Sequence, residues 1–300
     1  MPVLAGPEMT EAALADLLAQ SVPTRVLIVN QGIDNEFRDR LEKLAEQDDR
    51  IFCWHHQPSL PSLSATWNRA LDWIFGMGEP CALVVNNDVR LLPQTVAVLV
   101  SEMARLDAMF VSAVGVTKAQ FDQAVVDTWG HDGPTDQNHG GPDFSCYLIG
   151  ADCFSKYRFD EHFIPAFCED LDYHRRLMLG GDGSRIFSVS LPYLHLASQT
   201  LKQIDQDEAA RIKQSIDRHS RAHYARKWGG PVNEETFMTP FGGGFSEPDK
   251  VEGIYATTPY LQAMGRSTTS EEAAHGQDDR SAEPDGRPDP TSETARPEGH

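Results

Sequence analysis

The first 115 residues alternate short, wholly apolar runs with segments of helical spacing, and this rhythm constrains the fold more than any other feature. "MPVLAG" reads as a short first strand, and "TEAALADLLAQ" as a helix capped by Thr10. "RVLIVNQG" (25–32) is a buried strand, Asn35 to Gln47 a helix, "RIFCWHH" a strand, and "SATWNRALDWIFG" a helix with Ser64 as its cap. "CALVVNNDVRLLP" (81–93) supplies the next strand, a helix begins near Pro93, and "AMFVSAVG" closes the series. Apolar strands separated by helices predict an α/β architecture of parallel strands covered on both faces. Ligands gather at the carboxyl ends of such strands. Asn30 and the Asn86-Asn87-Asp88 group stand at two of those ends.

The rhythm breaks over 117–143, rich in Gly, Asp and His, whose second half predicts a loop near the site. Order returns with "FSCYLIGADCF", then an acidic helical block, the strand-like "SRIFSVSLPYLHL" and a helical segment of about 205–227. No GxGxxG or GxxxxGK[ST] fingerprint follows a strand, which disfavours a dinucleotide dehydrogenase or a P-loop enzyme. From Ser246 onward twelve acidic face five basic residues, with few large apolar ones, so 246–300 reads as a disordered acidic tail. The domain expected is therefore 1–245, with 1–115 and 116–245 as its two halves.

A net charge of −19 argues against a general nucleic-acid binder. The five cysteines form no CxxC pair, which fits small buried hydrophobes in a reducing cytosol. No run reaches the roughly eighteen apolar residues that span a bilayer, and the start lacks a signal-peptide pattern, so a cytoplasmic protein is expected.

Three places carry possible chemistry. Asp88, ending a buried strand beside two amides, suits a hard divalent cation completed by substrate phosphates, although a turn or helix cap would use the same residues. In "FCEDLDYHRR", Asp172 and Arg176 are spaced as a helical ion pair. Asp170 faces elsewhere and suits a base that takes a proton from a hydroxyl, while acids at a helix start also compensate the macrodipole. His195 in "LPYLHLASQT" is either a core histidine or a metal ligand. His55, His56, His131 and His139 have loop-like surroundings and no assigned role.

In order, these pieces resemble glycosyltransferase family 2 enzymes of the GT-A fold, over nearly all of Met1 to Phe245. "VLIVNQG" stands where that family has a strand ending in Asp-Asn or a similar pair. "SLSATWNRALDWI" is similar to its small-residue and Asn helix start. "VVNNDV" resembles its metal-binding DxD-type motif, and "RFDEHFIPAFCEDLDYHRRLMLGG" its FDE-x-F…ED-x-D…R…G block. "HLASQT" matches a His followed three residues on by Ser, and "YARKWGGPVNEETFMTPF" (224–241) resembles an ending of a soluble subset, some encoded by phages and other viruses.

The resemblance implies a Rossmann-like nucleotide-binding sheet, a smaller acceptor-side lobe, and inverting transfer of a sugar from a nucleoside diphosphate donor, a UDP-sugar first, to an acceptor hydroxyl. Carried over by position, Asp88 and His195 would hold Mn2+ or Mg2+. Asn86 and Asn87 would meet the donor ribose and phosphates, Asn30 the nucleobase, and Asn68 the donor pocket. Asp170 would be the general base, with Glu169 and Asp172 orienting the loop and binding sugar or acceptor.

Two departures stand out. Asn86 replaces the first acid of a strict DxD, leaving the metal fewer anionic ligands. Asn30 in place of Asp loosens the preference for uracil, because an amide both donates and accepts. "MPVLAG" is also short for the family's first strand. The acceptor expected is a saccharide or glycan. A basic run of Arg211, Lys213, Arg218, Arg221, Arg226 and Lys227 raises a modified DNA base or a protein as alternatives, with plain solvation the simpler account of that helix. A binding protein that has lost transfer is the remaining alternative.

Overall fold

The computed structural model describes residues 1–32, 34–126, 135–137, 141–196 and 206–243, all within one compact unit, Met1–Thr258. The expectations for residues 246–300, His131, His139 and Ser198 lie outside the described residues.

The N-terminal part forms a parallel sheet of β1 (Pro2–Val3), β2 (Val26–Asn30) and β3 (Ile51–His55), with β2 in the centre and buried throughout. Helices α1 (Pro7–Leu18) and α2 (Asn35–Gln47) make the crossovers. Asp34 caps α2 by accepting the Phe37 N–H at 3.2 Å, so the helix starts where a short acceptor frees the first turn from water. The other two caps differ from expectation. Helix α1 begins at Pro7, whose missing N–H suits a first-turn position, and Thr10 lies inside it donating to Gly6 O at 2.9 Å. Helix α3 (Leu63–Gly76) is capped by Ser62, which accepts the Ala65 N–H at 3.1 Å, while Ser64 is buried in its first turn.

The second sheet corrects the all-parallel expectation. Its order is β4 (Cys81–Val85), β8 (Cys146–Gly150), β6 (Phe110–Val116), β9 (Ile186–His195) and β5 (Val89–Arg90), with β7 (Thr135–Gln137) on β9. β8 runs antiparallel to both β4 and β6, β9 runs parallel to β6, and β5 is antiparallel to β9. Apolar residues along a strand report cover on both faces, not the direction of the neighbour. Helix α4 (Thr95–Arg105) packs on β6, β8 and β9, and α5 (Lys118–Val126) on β9.

One core runs under both sheets, joining Val26 and Ile28 to Val85, Val89, Leu148 and Val189. An aromatic core on the other side contains Trp67, Phe110, Tyr147, Phe159 and Tyr173, with Phe159 and Tyr173 stacked at 4.1 Å. Each such side chain contributes about 1.5–3 kcal/mol by leaving water. Helix α6 (Ala151–Lys156) follows β8, and these aromatics seat α7 (Glu169–Leu179), the helix that carries the acidic block. Beyond β9 come α8 (Gln206–Ser215), a π-helical turn over Ile216–Arg221 and α9 (Ala222–Trp228). All five cysteines are free thiols, and no helix among the described residues is long and apolar enough to cross a membrane.

Candidate active site

β4 ends at Val85, the chain turns through Asn86, Asn87 and Asp88, and β5 leaves at Val89 to pair with β9. The register puts Val89 opposite His195, and Leu196 N–H closes the ladder on Asp88 O at 2.9 Å. Two residues 107 positions apart in the chain are thereby fixed side by side, with His195 Nε2 at 3.2 Å from Asp88 Oδ1. Asp88 is buried and His195 about one-third exposed. The hydrogen bond to Asp88 raises the imidazole above its ordinary range, against the opposing effect of burial. On its other side His195 Nδ1 lies 3.4 Å from Ser145 Oγ.

The donor set fits a divalent cation. Two ligands about 2.1 Å from one ion and at right angles to each other stand about 3 Å apart, close to the separation of this carboxylate and imidazole. Asn86, partly buried, donates its backbone N–H to Ser145 O at 3.0 Å. Asn87 is committed differently: its amide nitrogen donates to Ala5 O at 2.7 Å and lies 3.0 Å from Thr10 Oγ1, tying the turn to the start of α1.

The acidic helix is presented by a strained entry. Phe167 and Cys168 both adopt left-handed backbone, with φ of 76° and 69°, at a cost of about 1–3 kcal/mol each. This double turn delivers Glu169 and Asp170 to the first turn of α7, where the free N–H groups favour negative charge. Asp170 is partly buried and its Oδ1 accepts the Leu171 N–H at 2.8 Å. Burial raises its carboxyl and the backbone bonds pull it back. Glu169 is only 5% exposed and its Oε2 has no hydrogen-bond partner in the structure. Burial first, then the charge of Asp170, push it up to about 8, so it carries a proton at pH 7.

Asp143 lies on the Ser145 side of the site. Its Oδ1 accepts the Ser145 N–H at 2.9 Å, and its charge raises both His195 and Asp170. Its neighbour Gly141 lies against His174 of α7: a Cβ at Gly141 would sit 3.6 Å from the imidazole Nδ1. Of the stretch expected to form a loop near the site, Thr135–Gln137 is strand β7 and residues 141–143 are irregular.

Asp172 points the other way, into the protein. Its Oδ2 accepts from Arg176 Nε at 2.8 Å, as the helical spacing predicts, and its Oδ1 accepts from Trp228 Nε1 at 3.0 Å and Lys227 Nζ at 2.7 Å. Lys227 also donates to Asp160 Oδ2 at 2.7 Å, and neither the lysine nor either aspartate is exposed. Lys227 is therefore not part of the basic surface that the sequence suggested; Arg211, Lys213, Arg218, Arg221 and Arg226 remain exposed, with Arg221 paired to Asp217. Asp160 further binds His223 Nε2 at 2.9 Å and His162 Nδ1 at 2.9 Å. Burial opposes its charge, but Lys227 and His223 hold it well below the usual carboxylate range.

Asp160, His162 and His223 bring their donor atoms within 4.8 Å of one another, a spacing that can hold a metal. The Asp160 oxygen nearest His223 already receives the Lys227 ammonium, and a second cation there would meet strong repulsion in a desolvated pocket. The lysine is the cation of this cluster.

Asn68 clasps the same segment from α3: its amide nitrogen donates to Phe159 O at 2.8 Å and Glu161 Oε1 at 2.9 Å, and its oxygen accepts the Phe159 N–H at 3.0 Å. Asn30, at the end of β2, accepts the Gly32 N–H at 3.0 Å and places its amide nitrogen 3.2 Å from His55 Nδ1. Among the predicted residues, then, Asp88 and His195 meet directly, and Asp170 stands apart from them at the start of α7. Asn30, Asn68 and Asp172 spend their polar groups within the protein, as does the Asn87 amide nitrogen. The sequence reading missed Asp143, Ser145 and the buried Gln31, which donates to Thr66 Oγ1 at 2.7 Å and accepts the Leu60 N–H at 2.7 Å, and it took the buried Lys227 for a surface cation.

No protein-family model matches the chain, and no curated protein sequence matches it. Solved structures match its fold. The mannosyltransferase PcManGT from Pyrobaculum calidifontis, solved with GDP-Man and Mn2+, aligns with a TM-score of 0.52 at 13% identity over 92% of this chain and 74% of that one. Glucosyl-3-phosphoglycerate synthase from Mycobacterium tuberculosis, solved with phosphoglyceric acid, gives 0.51 at 13% identity over 77% of this chain and 79% of that one. TarS from S. aureus gives 0.48 at 14% identity, and the chain spans 41% of its length. At these identities the likeness is one of fold: the chain has the GT-A type of α/β architecture.

Proposed function

We propose that the protein is a metal-dependent glycosyltransferase that moves a sugar, with inversion, from a nucleoside diphosphate sugar to an acceptor hydroxyl. The observation that carries this reading is the pairing of Asp88 with His195 at a strand end of a GT-A fold. Asp88 and His195 would hold Mn2+ or Mg2+. When bound, the ion would neutralise the charge that grows on the leaving diphosphate.

The rest of the chemistry belongs to the chain. Asp170 takes the proton of the acceptor hydroxyl as the acceptor oxygen bonds to the anomeric carbon and the carbon–phosphate oxygen bond breaks. Of two adjacent carboxyls, Asp170 is the more exposed and can meet an acceptor, whereas Glu169 is buried and its carboxyl is pushed up to about 8. Ser145 and Asp143 hold the imidazole face of the site, and Asn86 would meet the donor phosphates. Asn68 and Asp172 act by positioning: the first pins Phe159 and Glu161, the second anchors α7 to α9. Asn30 shapes the nucleobase end through His55 rather than by a free amide.

A saccharide is the acceptor assigned here, since Lys227 does not add to the basic helix face on which a DNA acceptor would rest. The test is thermal shift against a panel of UDP- and GDP-sugars with and without Mn2+. A bound donor stabilises by mass action, so one sugar nucleotide should raise the Tm by several degrees only with metal present. A panel that leaves the Tm unmoved would remove the proposal's basis.

A further inference from the structure

Asp88 offers a divalent cation one negative charge, and His195 as a neutral ligand offers none. The amides of Asn86 and Asn87 beside them add no charge. A doubly charged ion held by this pair therefore stays net positive in a partly buried place, where water screens it poorly. Asp143 is a second carboxylate joined to the same centre. Its Oδ1 accepts the Ser145 N–H at 2.9 Å. Ser145 in turn meets both sides of the centre: its Oγ lies 3.4 Å from His195 Nδ1, and its carbonyl accepts the Asn86 N–H at 3.0 Å.

The other Asp143 oxygen is placed by the sheet. Gly115 of β6 is in register with Tyr193 of β9, two residues before His195. A Cβ added at Gly115 would lie 3.1 Å from Asp143 Oδ2 and 3.3 Å from Tyr193 Oη, closer than side chains ordinarily pack. Glycine thus lets the carboxylate settle against the strand pair that carries His195. Asp143 is partly buried, and no arginine or lysine pairs with it among the described residues. Asp16, Glu102 and Asp172, by contrast, are paired with Arg90, Arg105 and Arg176. A carboxylate drawn out of water is costly unless a cation balances it. The bond to Ser145 N–H closes a local turn, for which an asparagine oxygen would serve equally well. The turn therefore accounts for the oxygen at this position and leaves the charge unexplained.

We propose that Asp143 is a positioning residue of the Asp88–His195 centre, whose carboxylate supplies the second negative charge that lets those two ligands hold a divalent cation before a nucleoside diphosphate arrives. This rests on the reading of Asp88 and His195 as the ligands of that cation. Asp143 acts through Ser145 and through its charge, not as a ligand itself. A nucleoside diphosphate brings negative charge of its own, so the dependence on Asp143 shrinks once it is bound.

The test titrates Mn2+ into the full chain and follows the free ion by electron paramagnetic resonance, alone and with UDP or GDP, the nucleotide's own Mn2+ binding subtracted. Asp143→Asn keeps an oxygen for Ser145 N–H and removes only the charge. It should weaken Mn2+ binding by about tenfold or more without nucleotide, and by about threefold or less with it. Adding Asn86→Asp to that variant returns a carboxylate to the turn bonded to Ser145, and should bring nucleotide-free affinity back to within about threefold of the parent. Gly115→Ala, whose methyl would press on Asp143 Oδ2, should also weaken nucleotide-free binding, and gives the answer if Asp143→Asn does not fold. Parent-like binding by Asp143→Asn, an equal loss with and without nucleotide, or no recovery with Asn86→Asp would overturn the proposal. A parent protein that takes up no Mn2+ in any of these conditions would remove the ligand reading as well. Uptake lost in Asp88→Ala but kept in Asp143→Asn would remove this inference alone.

Discussion

His195 Nε2 stands 3.2 Å from Asp88 Oδ1 because β5 and β9 are in register at Val89 and His195. A carboxylate and an imidazole so placed form a ready pair of ligands, and each depends on the other's strand. Asp88→Ala and His195→Ala should each lower metal-dependent turnover by about 10²-fold or more. Ser145→Ala, which removes a partner of the imidazole, should weaken apparent metal affinity by about 10-fold or more with the fold intact. Titrating Mn2+ against donor consumption measures both.

Glu169 makes stability fall as pH rises. Its folded carboxyl is raised to about 8 from an ordinary 4.5, so between those values the folded state binds more protons than the unfolded state. The linkage slope is then negative: the stabilisation is full below about 4.5 and is lost as pH climbs to about 8. Denaturation midpoints measured from pH 5 to 9 should decline for the parent protein, and Glu169→Gln should flatten that decline.

Lys227 is fully buried between Asp160 and Asp172, at 2.7 Å from each. Lys227→Met would leave two carboxylates without their shared cation and should cost about 3–5 kcal/mol in urea unfolding. Adding Asp160→Asn to that variant should recover part of the loss, since one stranded charge is gone. If the two substitutions simply added, the lysine would not be balancing Asp160.

Asn68 joins α3 to the start of the acidic block through three hydrogen bonds to Phe159 and Glu161. Asn68→Ala should destabilise the protein by about 1–3 kcal/mol, because Glu161 loses its amide donor in a buried place. The effect should appear in the unfolding midpoint before it appears in the affinity for a sugar nucleotide.

The sequence made the strands and most helices visible because burial on both faces leaves a run of apolar residues, as in β2 and β4. It did not reveal their directions: β8 is as apolar as β2 yet runs antiparallel to its neighbours. The Asp172–Arg176 pair was legible from helical spacing alone. The partners of Asp172 from α9 were not, since Lys227 and Trp228 are 55 and 56 residues away and Lys227 reads as one more surface cation. Asp143 was hidden in a Gly- and His-rich stretch with no periodicity to mark it. Asn30 and Asn87 looked like free amides because nothing local announces Gly32, His55, Ala5 and Thr10 as their partners.

The central claim rests on Asp170 as the base acting beside a metal-bound donor. The direct measurement is the rate of sugar transfer in Mn2+ from the donor found by thermal shift to a verified acceptor, for the parent protein and Asp170→Asn. The account predicts that the variant still binds the donor, with an unchanged thermal shift, and transfers at least about 10²-fold more slowly. Transfer by Asp170→Asn at the parent rate would contradict it.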